Sequence, residues 1–74
     1  MKFPNVVWIY KDQYHLLNEM QNWCQDNLGT GGYLVSPDPE RDAWHIETVF
    51  GNSRFCFLRD QDATLFSLRW LKIK

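Results

Sequence analysis

The sequence has almost no excess of either charge sign, because 8 Lys and Arg residues stand against 9 Asp and Glu residues, for a formal net charge of −1. Proteins that bind nucleic acids or anionic membranes through charge carry a basic excess, so neither partner is expected. No apolar run approaches the roughly 18 residues of a membrane span. The first residues also lack the long apolar segment of a secretory signal, so we expect a cytoplasmic protein.

Potential metal ligands and nucleophiles are scarce, with two Cys and two His residues and no C-x-x-C motif. His45 and Glu47 match the H-x-E element of zinc-dependent deaminases, but the P-C-x-x-C element that completes such a site is missing. Gly29, Gly31 and Gly32 follow a predicted helix instead of opening one, the reverse of a phosphate-binding loop. We therefore predict no metal site, no cofactor and no catalytic residue, and we expect that the protein is not an enzyme.

Aromatic residues, in contrast, make up 16% of the 74-residue chain, and hydrophobic residues make up 45%. The length predicts one domain that spans residues 1–74. Each aromatic side chain brings roughly 150–250 Å² of surface, more in total than the core of so small a domain requires. Some aromatic residues should therefore lie at the surface or in an interface.

The first half of the chain predicts a strand followed by a helix. Residues 6–10 are a continuous apolar run with side chains for both faces, which is typical of a central strand. Asp12 is a candidate helix cap, and no Pro or Gly interrupts residues 13–28. Apolar residues recur there at steps of three and four, as on one helical face: Tyr14, Leu17, Met20, Cys24 and Leu28. Gly29 is placed to end this helix.

The second half predicts a short strand at 33–36, a polar loop, and a hairpin of strands 43–50 and 53–59 around Gly51-Asn52. Asp60 or Asp62 should cap a last helix that carries Ala63, Phe66 and Trp70 at helical spacing. Residues 71–74 are consistent with more helix, a frayed end or a fifth strand.

The element order β-α-β-β-β-α indicates an α+β fold, an antiparallel sheet of three or four strands with two helices on one face, as a variant of the ferredoxin-like plait. The other face of the sheet would expose apolar side chains. The candidate interface residues are Trp8, Tyr10, Trp44, Phe55 and Phe57. Whether Phe55 and Phe57 or their neighbours Cys56 and Leu58 face the core is left open by the alternation of the strand.

Residues 53–63 resemble the third strand and second helix of RNA-recognition motifs. That resemblance would make Phe55 and Phe57 a platform for stacked bases. Arg54 stands where that family has glycine, and the basic balance of an RNA-binding domain is missing.

Residues 54–70 resemble the C-terminal part of small tailed-bacteriophage proteins of unknown function. Phe55-Cys-Phe57 is followed by an acidic break and by the pattern Asp-Ala-x-x-Phe-x-Leu-x-Trp, which ends at Trp70. The resemblance implies a viral protein that binds a host protein in the bacterial cytoplasm.

The function expected from the sequence is therefore that of a non-catalytic interaction domain. It would bind a host protein, or a second copy in a homodimer, through an aromatic sheet face. The alternatives are a single-stranded RNA-binding module that uses Phe55 and Phe57, and a plait domain that binds a small ligand.

Overall fold

The computed structural model of the protein describes residues 3–33 and 38–70. Two helices and a four-stranded sheet form an α+β fold, which confirms the predicted class. The elements follow the predicted order: β1 (Asn5–Ile9), a 3₁₀ helix (Lys11–Leu16), α1 (Leu17–Asn27), β2 (Gly31–Gly32), β3 (Trp44–Val49), β4 (Asn52–Phe57) and α2 (Asp60–Trp70).

The strands lie in the order β1-β4-β3-β2. β4 is antiparallel to both β1 and β3, whereas β2 runs parallel to β3. The sheet is therefore mixed, and the prediction of a purely antiparallel sheet is wrong in this respect. β4 lies between β1 and β3 and is thus a central strand. The central position expected for β1 is wrong. Its second apolar face, which includes Trp8, lies on the side of the sheet without helices, where Trp8 is 41% exposed.

The first helical segment begins as a 3₁₀ helix at Lys11 and becomes α-helical only at Leu17. Tyr10, and not Asp12, occupies the N-terminal cap position, and no side chain caps the segment. The predicted apolar face is confirmed, since Met20 and Cys24 are fully buried and the neighbouring apolar residues pack against the core. None of the helices in the described ranges is long and apolar enough to cross a membrane.

The predicted hairpin is present, with its turn one residue earlier than expected. Val49 pairs with Asn52, and the two turn residues Phe50 and Gly51 both have positive φ, 52° and 80°. Such angles match the type I′ turn that suits two-residue hairpins. α2 begins at Asp60, with Asp60 and Asp62 in its first turn.

The second strand differs most from its prediction. β2 is formed by Gly31–Gly32, and residues 34–36 of the predicted strand lie outside the described residues, as does the tail 71–74. Gly31 approaches Trp44 so closely that a Cβ atom would collide with the Trp44 backbone oxygen and ring. The indole Nε1 of Trp44 donates to the Gly29 oxygen at 2.9 Å and ties the end of α1 to the sheet.

The core lies between the helices and one face of the sheet. The register pairs Phe55 with Val7 on one side and with Ile46 on the other, so all three side chains point toward the helices. Phe66 of α2 packs onto this face, with its ring centroid 4.6 Å from that of Phe55 and 5.2 Å from that of Phe57. This arrangement decides which side chains of β4 face the helices: Phe55 and Phe57 both belong to the core.

Candidate functional site

The helix-free face of the sheet carries two rows of side chains that run across the strands. In one row, Val6 of β1 is paired with Cys56 of β4, which is paired with His45 of β3. In the next row, Trp8, Arg54 and Glu47 are paired in the same way. The two rows are one pleat apart, and both lie opposite the core.

The row of Trp8, Arg54 and Glu47 is partly exposed, and an ion pair joins Arg54 to Glu47. Arg54 Nη2 lies 2.7 Å from Glu47 Oε1, and Arg54 Nε lies 3.2 Å from the same oxygen. The hydrogen bonds to Glu47 raise the pKa of the Arg54 guanidinium. The guanidinium carbon is also 5.1 Å from the centre of the Trp8 ring, within the range of a cation–π interaction. Trp8 is thus an exposed aromatic side chain in a fixed orientation.

The His45 row is covered by Phe3. The Phe3 ring is 2% exposed, and its centroid is 5.0 Å from that of His45. Burial lowers the pKa of the His45 imidazole and raises the pKa of the Cys56 thiol to about 11. Cys56 is therefore a protonated thiol at neutral pH and not an activated nucleophile.

His45, Glu47 and Cys56 bring their ligand atoms to within 4.8 Å of one another. The search of the sequence for metal-ligand spacing missed this group, because the cross-strand pairing and not the separation along the chain joins Cys56 to His45. The signal that was available is the hairpin itself. A turn at Phe50-Gly51 places residues 45 and 56 opposite each other, on the face that His45 and Glu47 share.

The free edge of β1 is the second notable feature of this side of the molecule. Alternate residues of an edge strand direct their N–H and C=O groups away from the sheet, and proteins normally protect such edges with charged residues, proline or bulges. Residues 5–9 contain no charged residue and no proline. Pro4 stands just before the strand, and among the described residues β4 is the one strand that pairs with β1, so the outer edge of its five residues has no strand partner there.

A groove of about 430 Å³ runs between β1 and α2. Residues 4–7 form one wall, and the other wall is formed by Asp60, Ala63, Thr64, Ser67 and Leu68. Leu68 is 72% exposed at this wall. The ion pairs found among the described residues join Arg41 to Asp42, Arg54 to Glu47 and Arg59 to Asp62, and none of them involves Asp60. The groove is thus lined by both polar and apolar groups and has a carboxylate on the helix side.

The predicted interface residues fall into two groups. Trp8 and Tyr10 are exposed, at 41% and 68%, and Tyr10 follows the end of β1. Trp44, Phe55 and Phe57 are each 0% exposed, so their assignment to an interface is wrong. They point toward the helices because the register of β4 with its two neighbours aligns them with the core residues of β1 and β3.

The burial of Phe55 and Phe57 also removes the stacking platform that the RNA-recognition-motif resemblance implies, because that platform requires exposed rings. Sequence reasoning missed Phe50, which is 99% exposed at the hairpin turn, and Leu68. Leu68 lies on the same helix as Phe66. Its position two residues further along α2 turns it away from the core.

No protein-family model, known protein or solved structure matches the chain in comparisons of all three kinds. The two sequence resemblances therefore stay predictions. The features that bear on function are those of the fold itself: the free β1 edge, the groove beside it, and the two rows of side chains on the helix-free face.

Proposed function

We propose that the protein is a protein-binding domain that takes up an extended segment of a partner protein along the free edge of β1. The observation that carries the proposal is an uncharged edge strand, with no described residue paired to its outer side, directly beside an open groove. An added strand would gain main-chain hydrogen bonds from β1, and its alternate side chains would supply specificity.

The two faces of the added strand would meet different surfaces. Side chains on the helix side would enter the groove and contact Ala63 and Leu68 of α2. Side chains on the other side would lie beside Trp8, whose ring is exposed and oriented by Arg54. Tryptophan is enriched among residues that dominate binding energy, so Trp8 is the expected anchor of this side.

Asp60 adds a charge preference. Its carboxylate lines the groove, is exposed, and is not part of the ion pairs formed within the described residues. A lysine or arginine of the partner segment placed opposite Asp60 would meet an opposite charge at the rim of the interface. Such a pair sets orientation and association rate more than affinity.

A partner of this kind complements the edge better than a second copy of the chain does. In a homodimer, β1 would pair with itself, and residues 3–10 contain no basic residue to meet Asp60. The predicted homodimer is therefore an outcome that the test below distinguishes from the proposed complex. The phage resemblance, if it holds, makes the partner a bacterial host protein and the compartment the host cytoplasm, and it implies no catalytic role.

The other two candidate functions have less support. RNA binding through stacked bases would require exposed rings at Phe55 and Phe57, and both side chains lie in the core. The groove of about 430 Å³ is within the size range of small-molecule sites, but such sites enclose most of their ligand, whereas this groove lies open beside a strand edge.

The test is a selection from a displayed library of random 12-residue peptides, roughly the length that spans β1 and both its flanks. The immobilised bait is the full chain. We expect selected peptides to alternate apolar residues and to carry a basic residue. We expect Ser67→Trp, which fills the groove, and Trp8→Ala each to weaken the binding of a selected peptide by about tenfold or more. Isothermal titration calorimetry measures both.

Two variants isolate the charge preference. Asp60→Asn should lower the affinity for the peptide less than Trp8→Ala does, and mainly through a slower association rate. Asp26 is an exposed carboxylate of α1 away from the groove, so Asp26→Asn should leave both the affinity and the association rate unchanged. Selected peptides that bind Ser67→Trp and Trp8→Ala as well as wild type would refute the proposed site. A library without binders, together with a concentration-dependent dimer in sedimentation, would show that the edge pairs with a second copy instead.

A further inference from the structure

We propose that His45, Glu47 and Cys56 form a zinc site on the helix-free face of the sheet, independent of the binding edge. Within the ranges that the structure describes, they are the one group of three His, Cys, Asp or Glu side chains whose ligand atoms converge, all within 4.8 Å of one another. Thiolate sulfur, imidazole nitrogen and carboxylate oxygen are the three ligand types that zinc takes in proteins.

The backbone already places these side chains for a common ligand. His45 and Cys56 are direct partners across β3 and β4, and Glu47 follows His45 by two residues on the same face. Ligand atoms bound to one tetrahedral zinc ion lie about 2.0–2.3 Å from the metal and so are less than ~4 Å apart. The observed upper limit of 4.8 Å is within about 1 Å of this spacing, and six paired positions of the hairpin hold the backbone in register.

His45 is the strongest single indication of a ligand. The residue is only 9% exposed, and its buried Nδ1 atom has no hydrogen-bond partner within residues 3–33 and 38–70. Buried polar atoms in native proteins nearly always have a partner.

Cys56 is the second buried member of the group. It is 2% exposed and lies directly opposite His45 across the two strands. A divalent cation at the site would stabilise the thiolate form of Cys56, and its binding would release the thiol proton.

Arg54 and Phe3 complete the surroundings. Arg54 Nη2 is 2.7 Å from Glu47 Oε1 and 3.2 Å from Oε2, so the carboxylate is oriented by a hydrogen-bonded partner, as metal-binding carboxylates commonly are. A carboxylate offers enough lone pairs for both the guanidinium and a metal ion. Phe3 covers His45 on the outside. Three protein ligands leave the fourth position of zinc to water.

The experiment uses the full chain, reduced and freed of metal, with cobalt(II) as a spectroscopic probe and zinc measured by competition with a chromophoric chelator. We expect one ion per chain, with the thiolate-to-cobalt charge-transfer band and the intense visible bands of tetrahedral cobalt. Cys56→Ser should lose the charge-transfer band, and His45→Gln and Glu47→Gln should each weaken zinc binding by about tenfold or more. Cys24→Ala is the matched control and should keep the band.

Alkylation of the wild-type chain provides a second measurement that does not depend on the folding of any variant. Zinc should slow the reaction of Cys56 with iodoacetamide more than that of Cys24, as mass spectrometry of the peptides resolves. A band that persists in Cys56→Ser, zinc binding that is unchanged in that variant, or equal alkylation of Cys56 with and without zinc would each overturn the proposal.

Discussion

Phe50 combines an unfavourable backbone with a side chain that gains nothing from burial. Its φ of 52° is the one positive value at a non-glycine position among the described residues, and its side chain is 99% exposed. A left-handed conformation costs a residue with a Cβ atom roughly 1–2 kcal/mol. The type I′ turn would accept asparagine or glycine at this position with less strain.

Phe50→Asn should therefore stabilise the protein, by about 1 kcal/mol, because it relieves strain and removes no buried contact. The midpoint of urea unfolding should rise at constant slope. Phe50→Ala is the matched control, since it removes the same exposed ring but keeps a Cβ atom at positive φ, and its midpoint should not rise. An equal gain in both variants would mean that lost apolar exposure, and not backbone strain, is responsible.

Cys24 makes stability depend on pH at the alkaline end. Burial, with a smaller contribution from the Asp62 charge, raises the pKa of this thiol to about 12, above its ordinary value of 9.0. Because the folded pKa lies above the unfolded one, the unfolded state releases the proton first. The contribution of Cys24 is complete below pH 9 and is lost progressively as the pH rises from 9 toward 12.

The comparison that isolates this effect is wild type against Cys24→Ala in urea unfolding at pH 7, 9 and 10.5. The variant should be less stable at pH 7, because it loses buried side-chain atoms. The difference between the two proteins should shrink from pH 9 to pH 10.5 as wild type alone loses the thiol contribution. A difference that stays constant over this range would contradict the assigned shift.

At the scale of elements, α2 is held to the sheet by Phe66. This side chain is fully buried, and its ring contacts Phe55 and Phe57 of β4 and has an edge-on arrangement with Trp23 of α1 at 6.2 Å. Trp70 belongs to the same predicted row of apolar residues on this helix. It is only partly buried, and the Arg69 guanidinium lies 4.3 Å from its ring centre.

Phe66→Ala should cost about 3–5 kcal/mol, as large-to-small changes of buried aromatic residues do. That is a large fraction of the stability of a domain of this size. Leu68→Ala on the same helix is the control and should cost little, because Leu68 is 72% exposed. Denaturant unfolding monitored by circular dichroism gives both values. Comparable losses in the two variants would show that α2 packs with a different face.

Local sequence patterns predicted the elements whose signals are local. The apolar face of α1 and the β3–β4 hairpin are confirmed because periodicity and turn residues are properties of adjacent residues. The edge position of β1 was not predictable in this way. Apolar residues on both faces indicate burial, but which strand lies next to β1 depends on β4, more than 40 residues away. β2 is two glycines with no strand propensity, and Gly31 can lie against Trp44 because it has no Cβ atom to collide with it.

At the scale of the whole molecule, the positions of the candidate sites depend on which strands pair and in which register, and local sequence patterns do not specify that pairing. The composition indicated that some aromatic residues lie at the surface, and Trp8 and Tyr10 do. The same reasoning misassigned Trp44, Phe55 and Phe57, because alternation along a strand leaves two choices that only the position of the helices decides. The His45–Glu47–Cys56 group became visible only once the hairpin register was known.

The two sites use different parts of one sheet. The β1 edge and the groove involve β1 and α2, whereas the metal ligands lie on β3 and β4. Loss of zinc binding in Cys56→Ser and loss of peptide binding in Ser67→Trp should therefore be separable. Arg54 is the link between them, because it contacts both Glu47 and Trp8.

Amide hydrogen exchange at β1, followed by NMR with and without a selected peptide, tests the proposed binding mode most directly. If a partner segment pairs with the edge, the outward-facing amides of alternate residues in 5–9 should exchange at least about tenfold more slowly in the complex, and cross-peaks should link the peptide backbone to β1. Protection confined to Gly31–Gly32 at the opposite edge, with unchanged exchange at β1, would contradict it.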